Sequence, residues 1–182
     1  MSRKKDIDLK TATELALDFF EMTKDLYKRG EIAGSIRRKE PIVHDIDFAV
    51  IPSESDFSSW KEKMKGRIES IGGKVISFGE VISDFMSRGI QINLFLCPGD
   101  DSWGITLMWA TGPRGQTIGM NIKGRNKGLI VNSQGIFTRG KNPMMIPVRT
   151  EVEVGKVLGW KYKEPKARGK DLKDDNEEGF FY

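Results

Sequence analysis

The sequence predicts an α+β protein, and three observations carry that reading. Residues 9–28 and 56–71 space their apolar side chains three and four apart, as the buried stripe of a helix requires. Residues 45–51 form an apolar run and residues 90–96 alternate strictly, as strands do. After the turn Pro98-Gly99-Asp100-Asp101 the same mixture returns in shorter pieces, which marks a boundary between two units.

The elements follow in order. In the first helix Leu9, Ala12, Leu15, Ala16, Phe19, Met22 and Leu26 make the stripe, and Gly30 is expected to end it. A short strand over 31–34 enters the turn Gly34-Ser35, and the strand over 45–51 is closed by Pro52. The second helix carries Phe57, Trp60, Met64, Ile68 and Ile71 and is stopped by Gly72-Gly73. Strands over 74–78 and 81–85 precede a turn at Gly89. In the strand over 90–96, Ile90, Ile92, Leu94 and Leu96 share one face, while Gln91, Asn93 and Phe95 share the other. Helices are expected near 102–110 and 115–126, separated by Thr111-Gly112-Pro113. Short strands near 129–131, 135–138 and 145–148 and a helix over 151–158 complete the chain. The units expected are 1–98, 99–170 and an acidic tail over 171–182.

Composition narrows the function. A charged share of 31% and an apolar share of 38% describe a soluble chain, and no segment has the length of a membrane-spanning helix. The start, Met-Ser-Arg-Lys-Lys-Asp, lacks the apolar core of a signal peptide. Cys97 is the single cysteine, so no intrachain disulfide forms, and a reducing compartment (cytoplasm, nucleus or virion) is expected. At the end of an apolar strand, Cys97 reads as a small buried hydrophobe. One histidine and one cysteine exclude a zinc site and a histidine-based triad. The net charge of +4, with its basic residues gathered between Arg114 and Lys170, suits a polyanionic partner.

The chemistry concentrates between Ala33 and Ile51. The Gly34-Ser35 turn lets backbone N–H groups approach a phosphate, and Arg37 and Arg38 can add charge-assisted bonds. In Asp45-Ile46-Asp47 the strand period sets both carboxylates on one face, with Ile46 and Phe48 on the other. Two hard oxygen ligands so spaced suit Mg²⁺ with substrate phosphate and water. The bland alternative is a Gly-Ser turn before a strand with two solvent-facing aspartates, and the combined spacing weighs against it.

This run resembles the Gly-Ser…Asp-x-Asp signature of the nucleotidyltransferases, and within them the family X DNA polymerases. The second half extends the resemblance. Trp109-Ala110-Thr111-Gly112-Pro113 is similar to the family's aromatic-Thr-Gly hinge, and Lys127 to Ile136 to its basic-Gly…Asn-x-x-Gly segment. Leu158-Gly159-Trp160-Lys161-Tyr162 through Pro165 to Arg168 is similar to its closing stretch. The match covers residues 10–168 and implies a minimal form. Its palm is a mixed sheet with helices on one face, and its thumb is a small α/β unit, as in the reduced viral members.

The resemblance implies a gap-filling polymerase that extends a primer 3′ end on gapped or primer–template DNA. Its substrate is a nucleoside triphosphate, and it works as a monomer, off the membrane. By the same carry-over, Asp45 and Asp47 bridge two Mg²⁺ ions, with Mn²⁺ as a substitute. Gly34, Ser35 and Arg38 hold the β and γ phosphates, and Trp109 and Gly112 lie beside the incoming nucleotide. Arg114, Lys123, Arg125 and Lys127 grip DNA, and a cis Gly112–Pro113 bond is expected at the hinge. Trp109 reads equally well as a core tryptophan. Ala110 stands where a second aromatic is usual, which widens the sugar pocket, and Asn121 stands near positions where family members use arginine on the template. His44 is given no chemistry.

One position departs from the pattern. The family's third catalytic carboxylate falls at Asn93, and an amide carries no charge and is no base at neutral pH. Two readings are open: a substitution made to trap substrate, or a natural protein with weakened catalysis. The rival functions are a nucleotidyltransferase acting on a small molecule or protein, and a non-catalytic nucleic-acid-binding module.

Overall fold

The computed structural model describes residues 6–169; Lys170 and the acidic stretch over 171–182 lie outside them. Helix α1 (Leu9–Thr23) starts where the Asp8 carboxylate accepts from the Thr11 N–H at 3.0 Å. Asp56 opens α3 (Phe57–Ser70) in the same way, accepting from Ser59 N–H at 2.8 Å. Between them lie β2 (Tyr27–Ile32), the single helical turn α2 (Gly34–Arg37) and β4 (Asp45–Pro52). Two-residue strands β1 (Ile7–Asp8) and β3 (Ile42–Val43) pair with each other, a pairing too short for periodicity to announce.

Strands β5 (Lys74–Phe78), β6 (Ile82–Ser87) and β7 (Ile90–Leu96) complete a five-stranded mixed sheet in the order β2-β4-β7-β6-β5. Only β4 and β7 run parallel; the other neighbours are antiparallel. One face carries Ile46, Phe48, Val50, Ile92 and Leu94 into a core with Phe19, Trp60, Met64 and Ile68 of α1 and α3. Both long helices therefore lie on one face, as expected of a palm.

The opposite face sets up the site. Along β4 its residues are Asp45, Asp47, Ala49 and Ile51, acidic for two positions and then apolar. The apolar end is covered by α4 (Trp103–Thr111), through a cluster of Ala33, Ala49, Ile51, Cys97, Trp103, Leu107 and Ala110. Alternation along β4 thus leaves the carboxylate end outside the helix that seals its neighbour.

The second half builds its own core from Ile105, Met108, Met120, Val131, Ile136, Val148, Val154 and Leu158. Its elements are α4, α5 (Arg114–Asn126), the antiparallel strands β8 (Leu129–Asn132), β9 (Gly135–Thr138) and β10 (Met145–Ile146), and α6 (Glu151–Leu158). A capping box starts α6: Thr150 Oγ1 accepts from Glu153 N–H, and Glu153 Oε2 accepts from Thr150 N–H, both at 3.2 Å. The N-terminal end of α4 is pinned against the chain before α6. Gly104 N–H donates to the Val148 carbonyl at 2.9 Å, and a Cβ at Gly104 would meet the Thr150 carbonyl oxygen at 2.3 Å.

Several expectations are corrected. The first helix ends at Thr23 rather than 28, and β2 begins at Tyr27 rather than 31. Thr23 turns its hydroxyl back to the Phe19 carbonyl at 2.8 Å, and Trp60 Nε1 fixes the Leu26 carbonyl at 2.9 Å. Gly30 lies inside the strand, where a Cβ would strike the Phe20 ring at 2.6 Å. Strand β6 runs on to Ser87 because a two-residue turn, Arg88-Gly89 at positive φ, pairs Ser87 with Ile90. Strand β10 stops at Ile146 because Pro147 has no N–H to give.

Candidate active site

The turn and the aspartate strand meet directly. Ala33 N–H donates to the Asp47 carbonyl at 2.7 Å, so α2 rises off β4 itself. Gly34 takes φ +56°, and a Cβ there would lie 2.1 Å from Asp47 Oδ2. Only glycine fits that backbone and that approach. The hydroxyl of Ser35 is buried with no hydrogen-bond partner among the described residues, a donor left without its acceptor. Arg38 lies alongside: its Nη1 bonds the Thr111 carbonyl, and its Nε is 3.6 Å from Glu40 Oε1. The same Nη1 is 3.4 Å from where a Cβ on Gly112 would be. Gly34, Ser35, Arg38, Asp45, Asp47 and Gly112 therefore form one neighbourhood, and Gly112–Pro113 is cis.

Asn93 joins it through the sheet register. On the parallel pair, Asp45 sits opposite Gln91 and Asp47 opposite Asn93. Asn93 Nδ2 donates to Asp47 Oδ1 at 2.8 Å, and Gln91 Nε2 donates to Asn93 Oδ1 at 2.8 Å. No group of three or more carboxylate, histidine or cysteine side chains poised for a metal occurs among the described residues. The donor set is two carboxylates plus an amide whose N–H end faces Asp47. That set, with the orphaned Ser35 hydroxyl alongside, fits one hard cation carried on a polyphosphate. It does not supply the three carboxylates a second tightly held ion would take.

The remaining predicted residues lie further along the second half. Trp109 is half-buried against the second core, so packing already accounts for much of its surface. Arg114, Arg125 and Lys127 are exposed and Lys123 is half-buried, all on α5 or at its C-terminal cap. Near that cap, Lys123 and Arg125 also suit the negative end of the helix dipole. Cys97 is buried, and burial pushes its thiol pKa up, in keeping with a packing role.

Arg37 requires a correction. Its guanidinium is not directed to a phosphate: Nη1 and Nη2 grip Glu151 at 2.8 and 2.9 Å, and Nη1 also reaches Thr111 Oγ1 at 2.8 Å. Arg168 Nη1 donates to the same Glu151 Oε1 at 2.9 Å, and its Nε donates to the Lys163 carbonyl at 2.9 Å. Burial alone would raise the Glu151 pKa, but hydrogen bonds from Arg37 and Arg168 outweigh it and hold the carboxyl below its ordinary range. This Arg37–Glu151–Arg168 bridge joins the first half to the second beside the hinge. Sequence reading missed it, because Glu151 stands at the first turn of a capped helix, where an acid is ordinary and solvent-facing.

The chain has the fold of polymerase beta, and in sequence it is similar to proteins named Repair DNA polymerase X. It is 28% identical over 159 residues to the Repair DNA polymerase X of African swine fever virus (strain Badajoz 1971 Vero-adapted), covering 81% of this chain and 86% of the relative. The same identity and coverage hold for the protein of that name from the isolate Tick/Malawi/Lil 20-1/1983. Among solved structures, Leishmania infantum polymerase beta in a ternary P/T complex superposes with a TM-score of 0.77 at 20% identity, covering 90% of this chain and 77% of that one. Its ternary gap complex gives 0.77 at 18% identity, covering 91% and 71%. No family model matches the chain.

Proposed function

We propose that the chain is a template-directed DNA polymerase that fills short gaps by adding a nucleotide to a primer 3′ end. The observation that carries this is the abutment of the Gly34-Ser35 turn, with its orphaned hydroxyl, on the Asp45/Asp47 strand. The relatives named Repair DNA polymerase X support the choice of reaction. Residues 1–98 act as palm and 99–170 as thumb. Asp45 and Asp47 hold the Mg²⁺ that travels with the triphosphate, and that ion supplies charge neutralisation of the phosphoryl oxygens. Gly34, Ser35 and Arg38 bind the β and γ phosphates, and Trp109 and Gly112 flank the sugar. Arg114, Lys123, Arg125 and Lys127 take DNA phosphates, a sequence-independent grip.

In the reaction the primer 3′-oxygen bonds to the α-phosphorus while the bond from that phosphorus to the bridging oxygen breaks. Pyrophosphate leaves with the electron pair, and the hydroxyl proton must pass to a base. Asn93 cannot take it, so the protein as it stands turns over slowly. Single-turnover extension of a gapped primer tests this. Asn93→Asp is expected to raise the rate at saturating nucleotide by orders of magnitude with little change in nucleotide affinity. Equal rates would sink the assignment of Asn93.

The Asn93–Asp47 hydrogen bond favours a second reading, a nucleic-acid-binding protein that retains the nucleotide site without catalysis. Absence of extension by both forms, with DNA binding intact, would select it.

A further inference from the structure

The amide of Asn93 has a donor end and an acceptor end, and its neighbours decide which end faces the carboxylates. Asp47, when ionised, can only accept, so the nitrogen end faces it at 2.8 Å. The oxygen end is thereby turned to Gln91, which must donate, and its Nε2 does so at 2.8 Å. Arginine or lysine in place of Gln91 would serve equally well here, because both are donors. Glutamine differs in being able to reverse. If both amides rotate half a turn, Gln91 Oε1 accepts from Asn93 Nδ2, and Asn93 Oδ1 swings toward the carboxylate side. Each orientation makes one hydrogen bond between the two amides. The reversed one sets a neutral oxygen against Asp47, which is repulsive unless a cation lies between them.

We infer that Gln91 and Asn93 form a paired amide switch that makes Asn93 a conditional metal ligand. Without a second cation Asn93 is a donor that caps Asp47. With one it is a neutral oxygen ligand, and Gln91, a positioning residue, reverses in step. This rests on the reading of Asp45 and Asp47 as the site of the triphosphate's cation. It predicts one tightly held ion and one weakly held ion per chain, and it accounts for an asparagine being matched by an amphoteric partner directly beside it in the strand.

The test is Mn²⁺ titration followed by electron paramagnetic resonance, with a non-hydrolysable nucleoside triphosphate present. The parent is expected to bind one ion tightly and a second at least tenfold more weakly. Gln91→Lys can only donate, pins the oxygen end of Asn93, and removes the second ion. Gln91→Glu can only accept, holds the nitrogen end, and tightens it. Gln91→Met removes the inter-amide bond from both orientations equally and leaves the second affinity near the parent's. Charge alone also makes Gln91→Glu bind the second ion better than Gln91→Lys. Both substitutions are therefore repeated with Asn93→Asp, whose carboxylate has no orientation to choose. The difference between the Gln91→Lys and Gln91→Glu variants is expected to be about tenfold larger with Asn93, the worth of one hydrogen bond lost or kept. An equal difference in both backgrounds, or two equally tight ions in the parent, overturns the switch. In the unsubstituted chain, side-chain amide resonances of Asn93 and Gln91 should move together as diamagnetic Mg²⁺ is raised, and motion of one alone also overturns it. Tight Mn²⁺–triphosphate binding that survives Asp45→Ala would instead overturn the nucleotide-site reading.

Discussion

Replacing Glu151 by alanine should cost about 3–5 kcal/mol of folding stability, the usual loss when one partner of a buried ion pair is removed. The two arginines share that loss unequally. Arg37 is 20% exposed and keeps Thr111, so water can recover part of its solvation. Arg168 is 2% exposed, keeps the Lys163 carbonyl and the face of the Tyr162 ring, and already has one buried nitrogen, Nη2, without a hydrogen-bond partner among the described residues. Stranding its charge should therefore supply most of the penalty. Glu151→Gln keeps the volume and one acceptor, and should cost about 2 kcal/mol. Replacing all three side chains by apolar ones (Arg37→Met, Glu151→Leu, Arg168→Met) removes the desolvated charges together and should cost less than about 1 kcal/mol. Urea unfolding followed by tryptophan fluorescence measures each, with the midpoint and slope read separately. A Glu151→Ala cost under about 1 kcal/mol, or a triple variant as unstable as the single, would refute the reasoning, since either would mean that the bridge carries no uncompensated charge.

Other predictions follow from the same geometry. The folded Glu151 pKa lies below its ordinary value of 4.5, so its contribution is fully present above about pH 4.5 and lost as pH falls through the folded value. Urea midpoints should therefore fall more steeply in the parent than in Glu151→Gln as pH is lowered below 4.5, and parallel profiles would count against it. Gly34→Ala should destabilise by about 1–2 kcal/mol for the left-handed backbone alone. It should also weaken Mg²⁺-dependent nucleotide binding more than tenfold, because its methyl collides with Asp47; calorimetric titration showing unchanged affinity would contradict the close approach. Neutralising Arg125 and Lys127 together should lower DNA affinity and reduce the salt slope by about 2. An unchanged slope would make them an ordinary solvated face.

Much of the site is legible in the chain because the informative residues are local. Asp45, Asp47 and Gly34 announce themselves through strand period and turn chemistry, and β7 alternates cleanly enough to set Asn93 on the same face as the aspartates. The alternation does not say which strand β7 pairs with, so the donation from Asn93 to Asp47, residues 46 apart in sequence, emerges only from the parallel register. Arg37 misleads for a related reason. Beside Arg38 it reads as a second phosphate ligand, and its partner Glu151 is 114 residues away with no local mark of burial. The early end of α1 is hidden as well: Leu26 continues the helical stripe, yet it is buried through a short 3-10 turn that carries the chain into β2.

The pinning of α4 gives it the mechanics of a lever. Its first turn is fixed at Gly104 against the Thr150 backbone, and near its far end Ala110 packs in a cluster with the small Ala33 and Ala49. Its far end carries Thr111, which meets both Arg37 and Arg38. Nine residues of helix make an arm of about 13 Å. A swing of about 5° at the pinned end moves the far end by about 1 Å, enough to make or lose a hydrogen bond. A rearrangement of the second half, which holds α4 through Ile105 and Met108, would thus be magnified where the two arginines meet the hinge.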